Sequence, residues 1–127
     1  MKLAANIAGG LLGLIFIAVS LMVLLQLAPT PSLPPGSPAA SFMDAFVPTG
    51  YMTFVKVCEL VGGILVLMPR TRNFGLLVLG PIILNILAFH SFVTKGAGLF
   101  DPLLIVICLL AVFLLWAGRR AFGGLAG

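Results

Sequence analysis

Residues 7–27 read IAGGLLGLIFIAVSLMVLLQL, an uncharged apolar run, and its reading decides the fold. A helix needs about 20 apolar residues, at about 1.5 Å each, to cross the roughly 30 Å hydrocarbon core of a bilayer. The apolar core of a secretory signal peptide is shorter, about 7–15 residues. The run is therefore expected to be a spanning helix. Gly9 and Gly13 form a GxxxG inside it, a spacing that lets a second helix approach closely.

Three more apolar runs lie downstream, at 51–68, 74–93 and 102–117. Between the first and second, residues 28–50 carry Pro29, Pro31, Pro34, Pro35, Pro38 and Pro48. Proline removes a backbone donor and interrupts helices, so this stretch is expected to be an external loop. Within it, Ser41 to Phe46 can form a helical turn or two, with Phe42 and Phe46 on one face. The second and third runs are joined by Pro69-Arg70-Thr71-Arg72-Asn73, a short basic turn. Pro81 in the third run cannot donate to the Leu77 carbonyl, so a kink is expected there. Asp101-Pro102 opens the fourth helix with a preferred N-cap and a proline at the first helical position.

The composition agrees. Apolar residues make up 61% of the chain and charged residues 8%, and the mean hydropathy is +1.27. Ordinary soluble domains are about 45–50% apolar and about 25% charged. The formal charge is +4, but the basic residues flank apolar runs and do not interleave with aromatics, so a nucleic-acid partner is excluded. Lys2, Arg70, Arg72, Arg119 and Arg120 fall on one side of the spans and Lys95 on the other. The positive-inside rule then places both termini in the cytoplasm. Trp116 beside Arg119 and Arg120 reads as an interfacial anchor. The expected fold class is all-α: one transmembrane domain over 1–127, a four-helix up-down bundle, N-in and C-in.

Chemistry concentrates in the polar groups within the spans. An ionisable residue at a helix centre costs about 2.5–3.5 kcal/mol on insertion scales and is a functional-site candidate by default. Lys56 and Glu59, three apart on the second helix, can touch. Met52, Lys56, Glu59 and Gly63 trace one stripe, expected to face the bundle interior. Counting rise per residue from the outer face puts Glu59 and Asn85 about 12 Å deep, and Lys56 and His90 at roughly 5–8 Å. Asn85 and His90 stand about 140° apart on an ideal helix. One reading is structural: the set pins the second helix to the third, at about 0.6–2 kcal/mol per polar contact. The other is a polar pocket, open outward. Cys58 and Cys108 read as small buried hydrophobes. No zinc pattern, phosphate loop or catalytic Ser/His/Asp set is present, and with one histidine a bis-histidine haem within the chain is excluded.

Lys56-Val57-Cys58-Glu59-Leu60-Val61-Gly62-Gly63-Ile64-Leu65 resembles the second-helix K-x-x-E-L-x-x-G-x-L-L pattern of DoxX-like membrane proteins. Gly80-Pro81-Ile82-Ile83-Leu84-Asn85-Ile86-Leu87-Ala88-Phe89-His90 is similar to their third-helix P-x-x-x-N-x-x-x-F-H stretch. The resemblance implies a four-helix protein of the bacterial inner membrane, associated with a membrane redox partner related to quinol oxidase and thiosulfate:quinone oxidoreductase systems. By position, Lys56, Glu59, Asn85 and His90 are its family-like polar residues.

The first expectation is thus a DoxX-like accessory protein or subunit of a membrane redox system, without independent catalysis. A second is an oxidoreductase subunit binding a quinone or similar cofactor, with His90 and Asn85 hydrogen-bonding its carbonyls and Glu59 handling protons. A third is a small-molecule or proton-coupled transporter acting as a homo-oligomer. The lipid bilayer is the partner common to all three. No metal site is expected.

Overall fold

The computed structural model describes residues 2–27, 33–96 and 98–126, and among these all regular structure is helical. The elements are α1 (Lys2–Leu24), α2 (Pro38–Phe46), α3 (Tyr51–Leu67), α4 (Arg72–Ala88), α5 (Pro102–Ala117) and the short α6 (Arg119–Gly123). A π-helical turn, Phe89–Val93, continues α4, and a 3-10 turn, Gly124–Ala126, follows α6.

Several boundaries differ from those expected of the apolar runs. The first helix begins at Lys2 rather than at position 7 and ends at Leu24, because Lys2, Ala4, Ala5 and Asn6 need only helical geometry, not apolarity, to extend it. The 28–50 segment is not simply a loop, since it contains α2. Ser37 Oγ accepts the Ala40 N–H at 3.2 Å and Pro38 takes the first helical position, which starts a helix despite the surrounding prolines. Pro29 and Pro31 lie outside the described residues. Pro81 sits inside α4, which runs on through it to Ala88. A π turn follows α4, closed by the Thr94 N–H donating to the Phe89 carbonyl at 3.1 Å.

α1 and the Arg72–Val93 segment are long and apolar enough to cross a membrane. α2 and α3, bent by 85° at the break between them, make a third candidate if the pair is one span, and α5 is a shorter apolar helix of 16 residues. Every long helix shows large apolar side chains on its outside, among them Leu14, Phe54, Leu84 and Val112. A soluble monomer rarely exposes so much contiguous apolar surface. Lipid as the surrounding solvent accommodates it.

α1, α3, α4 and α5 share one core, in which Leu12, Phe16, Val66, Leu79, Ile107 and Leu114 are buried. Glycines set how closely the helices approach. A Cβ on Gly13 would lie 2.6 Å from the Gly63 carbonyl oxygen, and one on Gly75 would lie 2.6 Å from the Val66 nitrogen. The α1–α3 and α3–α4 pairs therefore meet backbone to backbone, and the Gly9/Gly13 spacing does mark a helix contact. These contacts also fix direction. Gly9 lies against Val66 and Arg72 while Gly13 lies against Gly63, so α1 and α3 run antiparallel; Gly62 against Leu79 and Gly75 against Val66 make α3 and α4 antiparallel.

Candidate functional site

One end of the bundle is open. A cavity of about 740 Å³ is bounded by α1, α3, α4 and α5, with α2 across it. Its floor begins about one helical turn beyond the glycine contacts, at Phe16, Glu59 and Val78. Ile15, Val55, Ile82, Leu104 and Ile107 supply apolar walls. Lys56, Glu59, Asn85 and His90 all line this one cavity, together with Tyr51 and Asp101.

Glu59 and Lys56 are brought together as their spacing allows. Lys56 Nζ lies 2.9 Å from Glu59 Oε2, with side-chain exposures of 18% and 4%. That distance is an ion pair, but Oε2 receives no well-directed hydrogen bond. The carboxylate thus has a charge partner while keeping acceptor capacity towards the cavity. Burying such a charge is tolerable only when it is paired. The lysine, half-buried, keeps its ammonium at the cavity surface while its stem packs among apolar neighbours.

Asn85 and His90 stand on the wall that α4 presents. The residues it contributes run from Val78, Pro81 and Ile82 to Asn85, Ile86, Phe89 and His90. On an ideal helix Asn85 and His90 would stand about 140° apart, but His90 falls in the π turn that continues α4, and both line the cavity. The cavity is wide enough to take in both, so the two polar groups are spaced along its wall. His90 lies in the π turn, a helical irregularity frequent at functional sites. Its carbonyl accepts the Thr94 hydroxyl at 2.8 Å and the Gly96 N–H at 2.6 Å. Gly98, at φ +77°, passes so near the imidazole that a Cβ there would sit 3.2 Å from Nδ1.

Aromatic rings form a connected row, of which Phe42, Tyr51, Phe89 and His90 line the cavity. Phe46 contacts Tyr51 at 4.9 Å between centroids, Phe42 contacts Phe46 at 4.7 Å and Phe89 at 4.9 Å, and Phe89 contacts His90 at 5.4 Å. The row ties α2 to the start of α3 and the end of α4. Asp101 Oδ1 accepts the Leu103 N–H at 2.9 Å and so caps α5 at the cavity rim.

Sequence reasoning picked out Lys56, Glu59, Asn85 and His90 and read Asp101 only as a cap. It missed Tyr51 as a lining residue and α2 as a cover. The signal for the cover was present in the i, i+4 pair Phe42/Phe46. At the far end it also missed Asn6, whose Oδ1 accepts from Arg72 Nη2 at 2.5 Å. Arg72 is therefore a residue of α4 that bridges to α1, not merely a loop charge. Ser20, buried in α1, donates to the Phe16 carbonyl of its own helix. Cys58 and Cys108 are half-buried free thiols. Among the described residues no group of three or more His, Cys, Asp or Glu side chains is placed to hold a metal ion.

A stretch of 75 residues is 35% identical to the uncharacterized protein YwoB of Bacillus subtilis (strain 168), covering 59% of this chain and 47% of that protein. The chain thus spans about half the length of this curated relative. No family model matches the chain, and no solved structure matches it.

Proposed function

We propose that the chain is a DoxX-like, multi-pass protein of the bacterial cell membrane that holds a small amphiphilic carrier, of the quinone class, for a membrane redox partner. In this reading all four long helices cross the bilayer, with the arginine-bearing α3–α4 turn in the cytoplasm and the large cavity near the outer face. α5 is about 24 Å long at 1.5 Å per residue, and local thinning of the bilayer with interfacial anchoring accommodates so short a span. Trp116 and Arg119 provide that anchor, with the guanidinium 4.5 Å from the indole centroid.

The observation that carries the proposal is the convergence of Lys56, Glu59, Asn85 and His90 on one largely apolar cavity. Ligand pockets characteristically combine apolar walls with a few placed polar groups. Here the walls suit a ring and chain, and the spaced polar groups suit two separated carbonyls. His90 and Asn85 hydrogen-bond the carbonyl oxygens, and Glu59 and Lys56 set the charge at the deeper end. The chain binds and orients the carrier, and electron transfer belongs to the partner.

Equilibrium dialysis of the purified protein in lipid nanodiscs against a short-chain quinone tests this. The expected result is one carrier per chain. His90→Ala and Asn85→Leu should each weaken binding about tenfold, the equivalent of about 1.4 kcal/mol for a lost hydrogen bond. Saturable binding that both variants leave unchanged would place the carrier elsewhere, and an absence of binding in the parent would remove the reading.

A further inference from the structure

The opposite end of the bundle holds a second, smaller cavity of about 240 Å³, where Lys2 and Ala5 of α1 meet Pro69 of the α3–α4 turn, Arg72 and Asn73 at the start of α4, and Gly118 after α5. Every carboxylate side chain of the sequence is elsewhere. The acidic residues number three: Glu59 and Asp101 line the large cavity and Asp44 lies on α2. The small cavity is instead lined by Lys2 and Arg72, and Arg70, Arg119 and Arg120 adjoin its lining residues Pro69 and Gly118 in sequence.

Arg72 is held in place without being neutralised. Its Nη2 donates to Asn6 Oδ1, and its Nε, packed against Gly9, is buried with no acceptor. A neutral amide orients a guanidinium but leaves its charge uncompensated, and a buried donor without a partner is destabilising. The start of α4 adds to the same field. Thr71, its N-cap, donates its hydroxyl to the Leu65 carbonyl at 2.8 Å and makes no side-chain cap. The positive end of the α4 dipole is therefore left uncapped beside two cations. Asn73 brings an amide to the same wall, where the absence of a Cβ at Gly118 admits it: a Cβ there would lie 2.8 Å from Asn73 Oδ1.

We propose that this cavity is a phosphate site, occupied by a phospholipid headgroup or by a soluble phosphorylated molecule. Arg72 and Lys2 supply the charge and the start of α4 supplies oriented dipoles. Basic pockets between spanning helices at the cytoplasmic face recognise anionic headgroups by this chemistry. The site is separate from the carrier cavity, and its occupancy does not depend on what that cavity binds.

The test follows thermal unfolding of the full chain in a neutral detergent. Dioleoyl phosphatidylglycerol, chain-matched dioleoylglycerol and glycerol 3-phosphate are titrated separately. Phosphatidylglycerol is expected to raise the unfolding temperature saturably, and dioleoylglycerol to leave it unchanged. Lys2→Gln should raise the half-saturating concentration about fivefold and Arg72→Gln about tenfold. A comparable shift with glycerol 3-phosphate identifies a soluble occupant; a shift with the phospholipid alone identifies a headgroup. No shift with either phosphate compound overturns the proposal, as does an equal shift with dioleoylglycerol. Lys2 is exposed, so Lys2→Gln keeps the test decisive if Arg72→Gln does not fold: an unchanged half-saturating concentration in Lys2→Gln also overturns it.

Discussion

The two ends of the bundle are built from the same four helices and differ in what sits between them. Towards the basic end, Gly13 against Gly63 and Gly75 against Val66 bring backbones together. About one turn beyond those contacts the facing residues are Phe16, Glu59 and Val78, and the helices enclose about 740 Å³. A glycine is not enough by itself: a Cβ added to Gly10 or Gly80 would meet no heavy atom within 4 Å. Small residues therefore act where they face a neighbouring helix, as at Gly13, Gly63 and Gly75, which close one half while the other opens around a cavity.

The contrast breaks most completely at Gly75. Gly75→Val would drive a side chain into the Val66 backbone, where no rotamer change gives relief. It should remove more than about 3 kcal/mol and abolish the monodisperse peak on size-exclusion chromatography in detergent. A variant that elutes like the parent would show that the closed half is not held by close backbone approach.

Glu59→Leu tests the open half and should be the next largest effect. It strands the Lys56 ammonium beside apolar walls, at a cost of about 3 kcal/mol, read as a lower unfolding temperature. The double change Lys56→Met/Glu59→Leu should recover more than half of that loss. Equal stability of Glu59→Leu and the parent would mean that the ion pair contributes nothing.

Phe42→Ala sharpens the comparison at the cover. The two ring contacts it removes contribute about 1 kcal/mol each, so stability should fall modestly while the carrier, if the cavity holds one, leaves faster. Dissociation rates measured by stopped flow would separate a cover from a bystander, since a bystander leaves the rate unchanged. Gly10→Ala is the smallest change expected. With open space at its Cβ position, helix propensity alone should raise stability by up to about 1 kcal/mol. A loss of stability there would mean that close approach to a neighbouring helix is not what makes a glycine matter in this bundle.

Much of the fold was legible because it depends on local chemistry. The four apolar runs, the Asp101-Pro102 start of α5 and the close contact at Gly13 could be read from residue type and spacing. The helix α2 was only half legible: its Ser37-Pro38 start is a local signal, but the prolines around it argued for a loop. The start of α1 at Lys2 was not legible, because hydropathy marks what is apolar and not where helical hydrogen bonding begins.

The site divides in the same way. The sequence by itself determined which polar side chains would lie among apolar surroundings, and that Lys56 could reach Glu59, since both follow from hydropathy and the helical repeat. Only the tertiary structure decided that Asn85 and His90, about 140° apart on an ideal helix, border one cavity with that pair, and that Phe42 of α2 borders it too. It alone joined Arg72 to Asn6 across the sequence. Spacing along a helix fixes the angle of each side chain about its own axis, but the distance between axes is set by the residues at the contact. Here those residues are glycines in one half and large side chains in the other, and the cavity is the consequence.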